Sequence, residues 1–460
     1  MKLCVLGGGG VRSCFLAKSI ACNAGLANLT EVVLMDVDQA KLDRYGKLAR
    51  QIAIRIAPAL QVTLTRSVEE AVTDADFVIT TIRSGGDHSR VRDEEIVSQT
   101  GLLAQETTGA CGFAMAMRSI PVLLDYCEKI KQLAHPGCLI FNFTNPSGIV
   151  TQALNSCGYP VYGICDAPSE FVKQLAAMLN VAENRFSCEC FGLNHLSWFT
   201  HFQVDGKDVT EPIFTDPNLF VKTEMRLFEP QVLKMTDGCL PNEYLYFYYY
   251  TRKVIQSSRQ AGESRAQLIE RVNTMMNKAL ENVDPDQEFE KAFRIFFEHY
   301  NIRENHYMMN ESGKARVRHY EVPSVEEFLS TPDEGGYAGV ALRFVKALSQ
   351  DEPVEMILSV PNRDAIAGLR DEDVVEISCR IDHNGAHPIG QPHIPQPIMN
   401  LIQTMKEYER TAVRAILNRD RDLAVKALLI HPLVANLDLA EKLVDAFLKE
   451  SQRDGMPPWK

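Results

Sequence analysis

The chain has 460 residues, 45% of them hydrophobic and 23% charged, which excludes a disordered or fibrous protein and predicts two large domains. It carries 48 Lys plus Arg against 60 Asp plus Glu, and the resulting net charge of −12 disfavours nucleic acid and anionic membranes as partners. Its 12 cysteines are scattered without a Cys-x-x-Cys pair, and no run of ~18 apolar residues occurs, so no zinc knuckle, disulfide scaffold or membrane span is expected.

The N-terminal apolar run, Leu3-Cys4-Val5-Leu6, is too short for a signal peptide, so a cytoplasmic location is expected. Short apolar runs at 3–6, 32–35, 62–65, 77–80, 139–143 and 161–165 predict strands. Each is followed by turn residues and then a helix-like stretch, such as 113–133. That alternation predicts an α/β fold whose first domain, residues 1–195, is a Rossmann-like doubly wound parallel sheet. After residue 195 the rhythm changes. A hairpin is expected around Asp205-Gly206, then helices over 244–250 and 265–280 and through Arg303. Strands follow at 356–360 and 374–381, then a Pro/His-rich loop over 383–397 and a helical hairpin or bundle over 402–448. Residues 196–460 thus read as an α+β domain for substrate, catalysis and oligomerisation.

Gly7-Gly8-Gly9-Gly10 lie between the first strand and a helix. Glycines there let the backbone turn and approach a pyrophosphate, which the helix N-terminus meets. Asp36 ends the second strand, where an acid hydrogen-bonds a ribose and favours NAD over NADP. The third glycine of the usual fingerprint is missing, with Arg12 and Ser13 in that region.

Further segments follow in order: Gln105-Glu106-Thr107-Thr108-Gly109, Phe143-Thr144-Asn145-Pro146-Ser147-Gly148, Cys165-Asp166, Gly192-Leu193-Asn194-His195, Leu240-Pro241-Asn242-Glu243-Tyr244-Leu245, Gly335-Gly336-Tyr337 and Ile430-His431-Pro432-Leu433. Through them the chain resembles, over nearly its whole length, the NAD- and metal-dependent glycoside hydrolases of family 4, most closely their 6-phosphoglucosidases.

The resemblance implies NAD and a divalent metal, taken as Mn²⁺, as cofactors, with Cys165 and His195 as metal ligands. On composition alone, a lone Cys and a lone His are more often core residues. It implies that the sugar is oxidised at C3 and that Tyr244 removes the C2 proton. The aglycone is then eliminated with Asp166 as candidate proton donor, water adds at C1, and the sugar is reduced again. Tyr244 belongs to the aromatic run of Tyr246, Tyr248, Tyr249 and Tyr250, which can equally be core packing. Asp166 resembles the α-specific members, whereas more of the other segments resemble the β-specific ones, so the anomer stays open with a lean to β. Arg90, seven residues after Arg83, together with Arg265 and Asn145, is expected to bind a phosphorylated glycoside or disaccharide. Arg83 can instead contact the cofactor or an internal carboxylate. A homodimer or homotetramer is expected. A plain NAD-dependent 2-hydroxyacid dehydrogenase and a non-catalytic NAD-binding protein remain as alternatives.

Overall fold

In the computed structural model, which describes residues 1–460 except 317, 333–335, 351, 392, 454–455, 457 and 460, the early apolar runs close into one sheet. Its parallel strands are β1 (Lys2–Leu6), β2 (Glu31–Met35), β3 (Gln61–Thr65), β4 (Phe77–Thr80), β5 (Leu139–Asn142) and β6 (Val161–Gly163). Their order is 3-2-1-4-5-6, with Leu6 beside both Met35 and Thr80. Strand order therefore reverses between β1 and β4, where sheets of this kind open a crevice at their carboxyl ends. Helices α1 (Ser13–Asn23), α2 (Gly86–Ser98), α3 (Ala110–Leu133), α4 (Ser147–Ser156) and α5 (Ala167–Met178) cover the sheet. Buried Asn142 ties the strand ends together, accepting from Thr80 Oγ1 at 2.8 Å and donating to Thr151 Oγ1 at 3.0 Å.

The C-terminal half contributes to the same sheet. Antiparallel strands β11 (Val354–Pro361), β12 (Val374–Asp382) and β13 (Gly385–Pro388) extend it beyond β6, giving nine strands. Strand β13 corrects the expected loop over 383–397. Gly385, at φ 106°, turns the chain so that Ala386–Pro388 pair back onto β12. A small second sheet, from β7 (Phe186–Leu193), β8 (Leu196–Val204), β9 (Lys207–Asp208) and β10 (Leu240–Pro241), includes the expected hairpin. It packs on β12, where Ser378 Oγ accepts from Cys190 N at 2.9 Å.

Helices α6 (Arg265–Ala279) and α7 (Phe289–Asn305) reach back over the first half. Helix α6 starts on a Ser264–Gln267 capping box. Helix α7 repeats aromatics on one face, and its Phe296, Phe297 and Tyr300 close on Phe15 of α1, with Tyr300 and Phe15 ring centroids 4.6 Å apart. This aromatic cluster hangs the two helices above the glycine loop. The tail forms three helices, α8 (Gln396–Asn418), α9 (Arg421–Ile430) and α10 (Leu437–Arg453). Among the described residues no helix is long and apolar enough to cross a membrane. Gly335 of the Gly335-Gly336-Tyr337 segment lies outside the described residues.

Candidate active site

Between the sheet's carboxyl edge and helices α6 and α7 lies a cleft of about 240 Å³. Gly9, Gly10, Arg12, Arg90, Asn145, Cys165, Asp166, His195, Tyr244 and Arg265 line it. Residues up to 256 positions apart in sequence, Gly9 and Arg265, are thereby brought to one wall, because strand ends and helices from both halves meet there. Gly7, Gly8 and Asp36 stand beside the cleft in the turn below.

Gly7 and Gly8 both donate to Met35 O, at 2.8 and 2.7 Å, pulling the loop down onto β2. A Cβ on Gly7 would meet Thr81 O at 2.5 Å, and one on Gly9 would meet Asp36 Oδ2 at 3.0 Å. Asp36 thus lies directly against the loop. Buried Ser13 Oγ has no partner, and the first turn of α1 contains no acidic residue. A glycine cradle, an unpaired hydroxyl and an uncapped helix N-terminus fit a dinucleotide's pyrophosphate, with Asp36 left for a ribose.

Cys165 follows β6, and His195 sits at the turn between β7 and β8 with φ 61°, a left-handed conformation uncommon for a non-glycine residue. Cys165 Sγ and His195 Nε2 are 3.8 Å apart. At zinc-like bond lengths of roughly 2.3 Å for sulfur and 2.05 Å for nitrogen, two ligands of one tetrahedral ion would stand about 3.6 Å apart, so the pair is close enough to share a divalent cation. Burial lowers His195 to about 4, keeping the imidazole neutral as a ligand must be. Burial also pushes the Cys165 thiol well up, so it needs a cation to become thiolate. Asn194 donates to Cys165 and, at 2.9 Å, to Glu376 Oε1. No third His, Cys, Asp or Glu completes a metal cluster among the described residues, which leaves coordination positions open.

Tyr244 is placed by β10. Pro241 pairs with Trp198 of β8, and Asn242 Oδ1 accepts from Tyr244 N at 3.0 Å. The phenol ring stacks on His195, with centroids 3.6 Å apart and planes 5° apart. Burial, with Glu243 next, pushes the Tyr244 hydroxyl well above its ordinary range. The hydroxyls of Tyr248, Tyr249 and Tyr250 are engaged elsewhere. Tyr249 accepts from Trp198 Nε1 at 3.2 Å, Tyr250 accepts from Glu229 N at 3.1 Å, and Tyr248 faces Met405 Sδ at 3.7 Å.

The arginines divide into two groups. Arg90 gives Nε to Glu94 at 3.1 Å and Nη1 to Glu106 at 3.0 Å, while Arg83 takes Glu106 at 2.9 Å. Burial works to raise the Glu106 carboxyl, but Arg90 and Arg83 outweigh it and hold it well down. Arg90 and Arg83 are thus both engaged with internal acids. Arg265 donates Nη1 to Arg303 O at 2.8 Å, and Arg303 Nε is buried without a partner. Burial lowers both of these guanidinium groups, and Arg265 and Arg12 lower Arg303 further. Asp166 stands at the N-terminus of α5 without a side-chain capping bond and pairs with Arg12 at 3.2 Å.

Several cleft residues carried no readable signal in the sequence. Arg303 and Glu304 line the cleft from α7, Tyr307 from the turn after it and Glu311 from the short helix Met309–Ser312. Tyr307 donates to Glu243 Oε1 at 2.8 Å and lies 3.4 Å from the Tyr244 hydroxyl. Glu243 could have been noticed beside Tyr244. Burial, with Glu224 next, raises it from 4.5 to about 8. An acid that keeps its proton only when folded loses stability as pH rises from 4.5 toward 8. Glu243→Gln removes that loss, on the order of a few kcal/mol at most. Thermal melts should therefore show the variant gaining over the parent at pH ~8.5 and gaining far less at pH ~5. Equal gains at both pH values would refute the buried neutral acid.

The model described as Family 4 glycosyl hydrolase matches residues 2–181, and that of the Family 4 glycosyl hydrolase C-terminal domain matches 190–434. The chain is 26% identical over 456 residues to the 6-phospho-beta-glucosidase BglT of Thermotoga maritima, covering 98% of this chain and 99% of the relative. It is 27% identical over 475 residues to the phospho-alpha-glucosidase PagL of Clostridium acetobutylicum, covering 98% of each. The structure of the 6-phospho-beta glucosidase from Thermotoga maritima with manganese, NAD+ and glucose-6-phosphate superposes with a TM-score of 0.79. Identity there is 28%, with 98% of this chain and 99% of that one covered.

Proposed function

This chain belongs to family 4 of the glycosyl hydrolases, and on that premise we propose that it hydrolyses 6-phospho-glycosides, with a lean to the β anomer. The observation that carries the reading is the convergence of Cys165, His195 and the stacked Tyr244 on one cleft with the glycine loop. When bound, NAD supplies a hydride acceptor for C3 of the sugar, and a divalent cation, Mn²⁺, supplies positive charge beside the reacting carbons. Gly7–Gly10 and Asp36 hold the dinucleotide; Cys165 and His195 hold the cation. Tyr244, already against His195, takes the C2 proton. Asn145 lines the cleft as a sugar contact.

Arg265 and Arg303 are the groups we assign to the phosphate. Two buried, mutually repelling guanidinium groups on a cleft wall are stabilised by an anion, and their forks suit phosphate oxygens. Arg90 then acts by holding Glu106 and the wall in place. Arg265→Ala should raise KM for a 6-phosphoglycoside by about 2 kcal/mol, roughly 30-fold, with little change on the unphosphorylated glycoside. Steady-state kinetics on the two substrates checks this, and an equal loss on both would remove the phosphate assignment.

The pairing of Asp166 Oδ2 with Arg12 supports the β lean, since it engages the carboxyl that an α-specific route would use as its proton donor. The same contacts weigh against a 2-hydroxyacid dehydrogenase, whose histidine base works with an aspartate. Here His195 Nδ1 is on Thr107 and Asp166 is on Arg12. A cytoplasmic homodimer or homotetramer completes the proposal. Matched α and β nitrophenyl glycosides, with and without a 6-phosphate, test the function in NAD⁺, Mn²⁺ and reductant. Release from β-6-phosphoglucoside is expected. Net NADH formation from a hydroxy acid without glycoside cleavage would overturn the reading.

A further inference from the structure

We propose that Thr107, oriented by Gln105, fixes the tautomer of His195 so that the Nε2 lone pair faces the cleft beside Cys165. This rests on the reading of Cys165 and His195 as metal ligands, and it adds a positioning residue that no cleft contact would suggest.

The direction of each hydrogen bond follows from what each group can donate. The backbone N–H of Thr107 lies 2.9 Å from Gln105 Oε1, and a backbone N–H only donates. The atom of Gln105 facing it is therefore the carbonyl oxygen, which settles the amide orientation. That oxygen also lies 3.0 Å from Thr107 Oγ1 and can only accept, so the single hydroxyl proton of Thr107 is committed to it. Thr107 Oγ1 then has only lone pairs for His195 Nδ1, 3.0 Å away. Nδ1 must carry the ring proton, and Nε2 is left as the unprotonated nitrogen, 3.8 Å from Cys165 Sγ.

The opposite tautomer would aim an N–H at Cys165 and leave no lone pair for a cation. The loop is placed for this task by its glycines. Gly109 adopts φ 72°, and a Cβ at Gly112 on α3 would meet Thr107 O at 2.6 Å. Thr107 therefore rests directly on the helix backbone and has little freedom to turn away.

The test is the Mn²⁺ dissociation constant of the full chain, read from the free-ion EPR signal during titration, with NAD⁺ affinity as the check of folding. Thr107→Val keeps the shape and removes the acceptor, and Mn²⁺ binding should weaken about 10- to 100-fold. Thr107→Ser restores the hydroxyl and should bind within about threefold of the parent, by the same hydrogen-bond logic. Gln105→Leu frees the hydroxyl proton of Thr107 to turn toward His195. It should weaken Mn²⁺ in the same direction, and it carries the test alone if Thr107→Val fails to fold. Unchanged Mn²⁺ affinity in Thr107→Val, or a serine variant as weak as the valine one, overturns the proposal. Cys165→Ser separates the two levels. If it lowers Mn²⁺ affinity while Thr107→Val does not, only the tautomer inference fails. If it leaves Mn²⁺ affinity unchanged, the metal reading fails and this inference with it.

Discussion

Cys165→Ser and His195→Ala are each expected to abolish turnover, by about 10³-fold or more, while NAD⁺ binding is retained. A divalent cation contributes several kcal/mol of charge stabilisation, and among the described residues no cluster of three ligand side chains exists to hold it without Cys165 or His195. Losing one leaves a single ligand and an open cleft. Neither Cys165 nor His195 is among the atoms nearest the glycine loop, so the cradle for the dinucleotide stays intact. Chelation should reproduce both variants, and a chelated protein at full turnover would sink the assignment. The thiol makes the site pH-dependent with a definite sign. Cys165 must give up its proton to bind, and burial has pushed that proton's loss to higher pH. Mn²⁺ affinity should therefore climb as pH rises, about tenfold per unit while the free thiol stays protonated. In Cys165→Ser the residual affinity should lose that slope, which a pH series of Mn²⁺ titrations measures.

Much of this site was legible because its parts are local. The four glycines and Asp36 sit at the ends of adjacent strands, so strand, turn and helix periodicity were enough to locate them. The charges of the arginines were equally visible, but their partners were not. Arg90 meets Glu106 across the rest of α2 and the loop that follows it, and only the folded chain shows that Arg90 is already paired with Glu94 and Glu106. Glu376 reaches Asn194 from 182 positions away, because a strand of the C-terminal half joins the N-terminal sheet. Neither spacing nor periodicity encodes such a pairing. The same long-range step explains strand β13, whose residues look like a loop until β12 offers an edge to pair with. Arg303 and Tyr307 fall in or beside the charged helix through Arg303, and nothing in that stretch marks them as cleft residues until α7 docks by its aromatic face.

Turnover in D₂O should place deuterium at C2 of the released sugar. If Tyr244 takes the C2 proton and solvent later returns one, that position must exchange, whereas an oxocarbenium route leaves its carbon–hydrogen bond untouched. The wash-in should require NAD⁺, because without the C3 ketone the C2 hydrogen is too weakly acidic for a phenolate to remove. It should also require Mn²⁺. Burial holds the Tyr244 hydroxyl well above its ordinary range, and its ring lies flat on His195, so a cation held by Cys165 and His195 is the positive charge nearest to hand to bring it down. Tyr244→Phe removes the base while keeping the ring stack, and it should lose hydrolysis and exchange together, each by about 10²-fold or more. Tyr248→Phe is the matched control within the same aromatic run. Its hydroxyl faces Met405 Sδ at 3.7 Å and its ring packs on His431, away from the Cys165–His195 pair, so the change should spare both activities. Mass or NMR measurement must be made on early product, before isomerisation of the free sugar scrambles C2. Hydrogen retained at C2 under these conditions would remove Tyr244 as the base and the oxidation–elimination route with it.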